Sequence, residues 1–122
     1  MSTYNISIVE AYYNAMEKKD VARMGNYLHS DVQFIGPLDT KTGKEAVLQA
    51  AKHFCVLFKT ITIRTKCSSG NDVMLAYDFD FPPPIGKFRA AVLINIEDDL
   101  IRKIELFYDP RPLIDKKDNI FS

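Results

Sequence analysis

The feature that most limits what this chain can fold into is a change of period near residue 60. Before it, apolar side chains recur at three-to-four spacing; after it, they recur every second residue. Ile61, Ile63, Thr65 and Cys67 alternate with Thr62, Arg64 and Lys66, the repeat of a strand with one face turned inward. Val73, Leu75, Tyr77, Phe79 and Phe81 form a second row, stopped by three prolines that cannot donate to a ladder. Phe88 to Ile96 and Leu100 to Tyr108 make two more, separated by the acidic turn Glu97-Asp98-Asp99. Connections this short join antiparallel neighbours, so residues 60–108 predict a four-stranded meander.

The first half reads as helices. Ser7-Ile8-Val9-Glu10 has the form of a capping box, and Val9, Tyr12, Tyr13 and Met16 then share one helical face. Asp20 is placed to cap a second, shorter helix with Val21, Met24, Tyr27 and Leu28 on one side, ending near His29. Asp31 to Ile35 alternates and predicts a short strand, broken by Gly36-Pro37, and residues 37–43 read as a turn-rich loop. Lys44 to Phe58 carries Val47, Ala50, Ala51, Phe54, Leu57 and Phe58 on a broad stripe, the third helix. The expected fold class is therefore α+β: three N-terminal helices packed on one side of a curved, mainly antiparallel sheet that encloses an apolar pocket. No linker or repeat interrupts it, so residues 1–122 are read as one domain with an aperiodic tail from about residue 110.

Charge and cysteine use exclude several function classes. Sixteen basic and sixteen acidic side chains cancel, which leaves no net field to hold nucleic acid or an acidic membrane surface. No apolar run approaches the roughly 20 residues of a membrane span. The N-terminus lacks a basic segment followed by an apolar one, so a cytoplasmic location is expected. In a reducing compartment Cys55 and Cys67 stay as thiols, and both read as small buried residues.

The strand faces also bear on partners. If Phe88, Ala90, Val92 and Ile94 point to the helices, then Arg89, Ala91, Leu93 and Asn95 point away, beside Met74, Ala76 and Phe107. That outer face is more apolar than solvent requires, and a homodimer through it is expected.

The order helix, helix, short strand, helix and meander is also that of the nuclear transport factor 2-like superfamily. Four stretches carry the resemblance: Ile8 to Asp20, Tyr27-Leu28-His29-Ser30-Asp31-Val32-Gln33-Phe34, Gly43-Lys44-Glu45-Ala46-Val47, and Leu100 to Asp109. The chain resembles the SnoaL-like polyketide-cyclase branch. The resemblance implies a cone-shaped fold with a deep pocket between sheet and helices, and commonly a dimer. It implies no single chemistry, since this scaffold hosts isomerases, cyclases, dehydratases, epoxide hydrolases and noncatalytic carriers.

Placed on the ketosteroid isomerase pattern, the oxyanion tyrosine falls on Tyr12, the base near Gly36 and the protonated acid near Val92. Placed on the pattern of limonene-type epoxide hydrolases, the two aspartates fall on Leu106 and near Val92. A slip of one residue in the last strand would instead turn Glu105 inward as a reserve acid. Other polar candidates are His53, whose side chain titrates near neutral pH and suits a general base, and Asp39 at the pocket mouth. Asp78 and Asp80 share a strand face and point outward if Val73 to Phe81 faces in. Lone histidines and separated cysteines give no zinc-ligand spacing. Gly36 to Lys44 departs from a phosphate loop, with six residues between its glycines and Glu45 where a hydroxyl should bind magnesium. No metal or cofactor is expected.

The leading expectation is a binding domain for a hydrophobic small molecule, walled by Phe34, Phe54, Tyr77, Phe79, Val92, Leu106 and Tyr108. The alternatives are a cyclase or isomerase acting on a hydrophobic carbonyl compound through Tyr12 with His53 or Asp39, and an association module whose interior is filled by its own side chains.

Overall fold

The computed structural model describes residues 3–116. Three helices, α1 (Thr3–Glu17), α2 (Val21–Gly25) and α3 (Lys44–Cys55), pack on one face of a six-stranded sheet. Its strands are β1 (Leu28–Ile35), β2 (Thr40–Thr42), β3 (Thr60–Ser69), β4 (Asp72–Asp80), β5 (Lys87–Glu97) and β6 (Leu100–Phe107), in the order β2-β1-β6-β5-β4-β3. All neighbours are antiparallel except β1 and β6. This is the α+β cone expected from the period change: the meander forms as read, and the parallel strand comes from the earlier half.

α1 buries Ile8, Val9, Tyr12, Tyr13, Ala15 and Met16 against the sheet. The capping box is not there. Ser7 lies inside α1, and its hydroxyl donates to the Tyr4 carbonyl one turn back at 2.6 Å, a local bond open to any helical serine. Asp20 does cap α2, accepting the Arg23 N–H at 3.1 Å. That helix stops at Gly25 rather than near His29, because Leu28 is drawn into parallel pairing with Ile101 and the Tyr27 carbonyl accepts the Ile101 N–H at 2.8 Å. The loop read over residues 37–43 holds β2, which folds back on Gln33 to Ile35. α3 ends at Cys55, short of the expected Phe58.

Besides the shift between β1 and β6, where Leu28 pairs with Ile101 but Gln33 with Lys103, two single-residue bulges bend the sheet. In β3, Ile63 pairs with Tyr77 but Thr65 pairs with Ala76, so Arg64 is an extra residue. In β6, Lys103 pairs with Asn95 but Ile101 pairs with Ile96, so Arg102 is extra. Each such bulge reverses the faces beyond it and increases local twist. The first corrects the reading of Cys67. Thr65 and Cys67 turn outward beside Ala76 and Met74, and Lys66 turns toward α1, where it pairs with Glu10. Cys55 is buried as expected, while Cys67 is exposed.

The aperiodic segment from about residue 110 begins as a short 3-10 helix, Arg111–Lys116, whose Leu113 is almost fully buried; residues 117–122 lie outside the described residues.

In the folded monomer a thiol reagent should therefore label one cysteine rapidly, Cys67, and the second only on unfolding. Cys67→Ser should abolish the rapid phase; a rapid phase that survives this substitution would contradict the β3 register.

Candidate ligand pocket

The concave side of the sheet does not close completely on the helices. Between them lies a cavity of about 70 Å³. A single water needs roughly 10–15 Å³ of such space, so several waters or part of a larger ligand can be accommodated. Tyr77 and Phe79 of β4 form its floor, Phe88 and Ala90 of β5 and Leu106 of β6 continue it, and Phe34 of β1 closes one side. α1 contributes Tyr12, Tyr13 and Met16, and α3 contributes Ala50, Ala51 and Phe54. Tyr108 and Leu113 complete the wall from beyond the last strand.

Hydroxyls are the polar side-chain groups of this wall. The Tyr77 hydroxyl bonds to that of Tyr13 at 3.2 Å, and their rings meet edge to face with centroids 5.1 Å apart. Tyr12 stands edge to face on Tyr13, also at 5.1 Å. Burial pushes the ionisation of Tyr12 well above its ordinary value, reinforced by Tyr13 and Cys55. Burial does the same for Tyr13, with Tyr77 adding to it. Tyr77 is raised by burial despite the opposing bond with Tyr13. Tyr108 is pushed up to about 12, first by burial and then by the nearby Asp39 carboxylate. Its hydroxyl oxygen is shut off from solvent and, among the described residues, has no hydrogen-bond partner.

The structure thus brings Tyr12, Phe34, Phe54, Tyr77, Phe79, Leu106 and Tyr108 together on one wall. Val92 is not among them. It points inward and is fully buried, but it sits between Leu75 and Leu106 in the packed interior, and Ala90, two residues earlier, meets the cavity instead. His53 lies beside Gln49, with its Nε2 3.4 Å from the amide nitrogen, and lines no part of the cavity. Asp39 serves its own turn, accepting the Thr40 N–H at 2.8 Å and pairing with Lys41 at 3.2 Å. Glu105 faces outward opposite Leu93, 3.7 Å from Lys103, so the reserve acid is absent from the pocket. Asp78 also faces outward, 3.7 Å from Arg64. Leu113 was not anticipated, because a segment without periodicity gives no signal of the surface it covers.

One cluster with metal-ligand chemistry emerges only in three dimensions. His29, Glu97 and Asp98 bring donor atoms within 4.8 Å of one another. His29 Nδ1 accepts the Asp31 N–H at 3.0 Å, which places the ring proton on Nε2, 3.8 Å from Glu97. A metal at Nε2 would force that proton onto Nδ1, against the Asp31 donor. Arg102 approaches the second Glu97 oxygen at 3.9 Å. The group is better accounted for as a polar network than as a metal centre.

Curved sheet, three helices and an apolar cavity between them define a cone of the nuclear transport factor 2-like, or cystatin-like, type. Residues 9–104 match the SnoaL-like domain, and the chain belongs to that family. No curated protein matches it in sequence. Among solved structures it is similar to a nuclear transport factor 2-like protein of unknown function from Cytophaga hutchinsonii, at 23% identity and a TM-score of 0.79 over 89% of this chain and 93% of that one. It is also similar to TerC co-crystallised with polyporic acid, at 16% identity and a TM-score of 0.79 over 93% of this chain and 97% of that one. A steroid delta-isomerase from Pseudomonas aeruginosa superposes at 16% identity and a TM-score of 0.76, covering 92% and 84% of the two chains. Identities this low establish a common fold.

The raised tyrosines fix the sign of an alkaline dependence. Their folded-state values lie above the unfolded value near 10, so the stability they contribute is fully present below that pH and is lost as pH rises toward their folded values. Urea unfolding should therefore show a marked loss of stability between about pH 9 and 11. Tyr77→Phe should be less stable at pH 7 by about 1 kcal/mol, from the lost hydroxyl pair, and should lose less on going to pH 11. An unchanged pH dependence in that variant would show that Tyr77 ionises as freely folded as unfolded.

Proposed function

We propose that this protein binds a small, flat, largely apolar molecule, of polycyclic or terpenoid-like character, in the cavity between α1, α3 and the sheet. The observation that carries this reading is a cavity walled by rings and aliphatic chains at which Ala50, Ala51 and Ala90 stand where larger residues would fill the space. Proteins keep such hollows at a cost in packing, and the polar groups on this wall suffice to orient a ligand. TerC, which shares the fold, was crystallised with polyporic acid, in keeping with a scaffold able to hold a small organic molecule.

Isomerase or cyclase chemistry is the second reading, favoured by Tyr12 on the wall and by the fold shared with a steroid delta-isomerase. Proton transfer at carbon needs a base within about 3 Å of the proton. Among the described residues lining the cavity there is no Asp, Glu, His or Lys, so binding is the better supported of the two.

A homodimer through the outer sheet face belongs to the same proposal. Cross-strand pairing sets Cys67, Met74 and Leu93 in one row and Ala76, Ala91 and Phe107 in the next. Met74 and Phe107 are about half exposed, and the flanking pairs Arg64–Asp78 and Lys103–Glu105 offer both charges to a copy related by a two-fold axis.

A ligand at about a hundred times its Kd stabilises its protein by about 2.7 kcal/mol, a rise in Tm on the order of 10 °C for a domain this size. Screening polycyclic and terpenoid compounds by thermal shift should find such ligands, and Ala90→Phe, which places a ring in the cavity, should abolish the shift while remaining folded. An equal shift in that variant would place the ligand elsewhere. Sedimentation at micromolar concentration should give a dimer that Phe107→Glu dissociates; a wild-type monomer would remove the dimer from the proposal.

A further inference from the structure

Resting on the binding reading above, we infer that the turn from Asp109 to Leu113 is the wall of the cavity that yields, and that a ligand of more than about two fused rings is admitted by taking the place of the Leu113 side chain. The space between sheet and helices, about 70 Å³, is the room of roughly five to seven waters. That suits a two-ring hydrocarbon and is too little for a four-ring one, so a polycyclic ligand needs one wall to move. Most of the wall is held along its backbone. Tyr77, Phe79, Phe88, Ala90 and Leu106 stand on paired strands, and α1 and α3 carry their side chains on continuous helices.

Leu113 is held differently. It lines the cavity from beyond the last strand, and it is the buried side chain of its segment: Asp109, Arg111 and Pro112 are exposed and Pro110 is half-buried. Among the described residues, the polar contacts of this segment close on themselves. The Leu113 N–H donates to the Pro110 carbonyl at 2.9 Å, the Arg111 N–H donates to Asp109 at 3.1 Å, and the Arg111 guanidinium pairs with the same carboxylate at 2.6 Å. None of these bonds is lost when the turn swings outward. Pro110 and Pro112 fix the backbone on either side of Arg111, so the turn keeps its shape as it moves. What holds it closed is the burial of one leucine, which favours the closed position by about tenfold to a hundredfold. An apolar ligand in that place covers the surface that Leu113 leaves, and the vacated volume adds to the cavity.

Naphthalene and pyrene test this, since both are neutral, lack polar groups and differ in size. Each is followed by its own fluorescence, which a protein without tryptophan leaves clear. Leu113→Ala should tighten pyrene by about tenfold or more, because the leucine no longer has to be expelled, and should change naphthalene by less than about threefold, which also shows that the variant is folded. In the wild-type protein, the Leu113 methyl resonances, assigned against Leu113→Ala, report the position of the side chain directly. Pyrene should move them to the positions of a solvent-exposed leucine, and naphthalene should leave them at those of a buried one. If pyrene binds with Leu113 still buried, if it binds the variant no more tightly, or if naphthalene expels the leucine as well, the yielding wall is overturned while the binding cavity stands. Refusal of pyrene by a wild-type protein that binds naphthalene overturns it too, since Leu113 is then a fixed stop. If neither compound binds either protein, the cavity reading fails and takes the yielding wall with it.

Discussion

The structure depends on a continuous run of aromatic rings along the concave side of the sheet. Tyr12 meets Tyr13, Tyr13 meets Tyr77, Tyr77 meets Phe79, and the run continues through Phe81 and Phe88 to Tyr108, with centroid separations from 5.0 to 6.3 Å. Phe54 joins it from α3, 4.9 Å from Phe79. Such contacts contribute about 0.5–1.5 kcal/mol each beyond the area they bury. They also set distance: a rigid ring holds a helix farther from the sheet than an aliphatic side chain does. Where Ala50 and Ala51 face the rings across that gap, no side chain reaches far enough to close it. The hollow is thus a consequence of large residues on the sheet opposed by small ones on α3 and β5.

Curvature supplies the other half of the cavity. A flat pleated sheet would let α1 and α3 settle evenly along its length. The extra residues Arg64 and Arg102 bend β3 and β6, and each bulge is tied to a neighbouring element. Arg102 donates to the Asp31 carbonyl at 2.6 Å, and Lys66, turned inward by the first bulge, pairs with Glu10 on α1. Asn5, at the start of α1, donates to Gly70 at 3.4 Å in the β3–β4 turn. Irregularities in the ladders therefore fix where α1 lies and how far the cone opens.

These features explain what could be read from the residues and what could not. The meander was legible because four rows of alternating side chains have no other use for their apolar face. Alternation places Tyr77 and Phe79 on the wall and the superfamily resemblance places Leu106 there, and the structure keeps all three. Alternation fails at a bulge, which has no signature in the chain: hence Cys67 was read as buried, when Arg64 turns it out. Glu105 was ambiguous for the same reason, and pairing of Lys103 with Asn95 sends it outward. Val92 shows a different limit. Its inward direction was legible, but the depth at which the cavity ends depends on the packing of Leu75 and Leu106 around it. β2 and Leu113 depend on tertiary surfaces that neither segment encodes by itself.

The tyrosines show how a pocket can retain recognition where its wall offers no acid–base pair. Where the superfamily resemblance would put carboxylates, this chain has Leu106 on the wall and Val92 behind it, and Asp39 is held by Lys41 and the Thr40 N–H. Without a base to take a proton, a hydroxyl on the wall can act only through its hydrogen bond. Two such hydroxyls facing each other, as in Tyr13 and Tyr77, stabilise the fold and have less to offer a ligand.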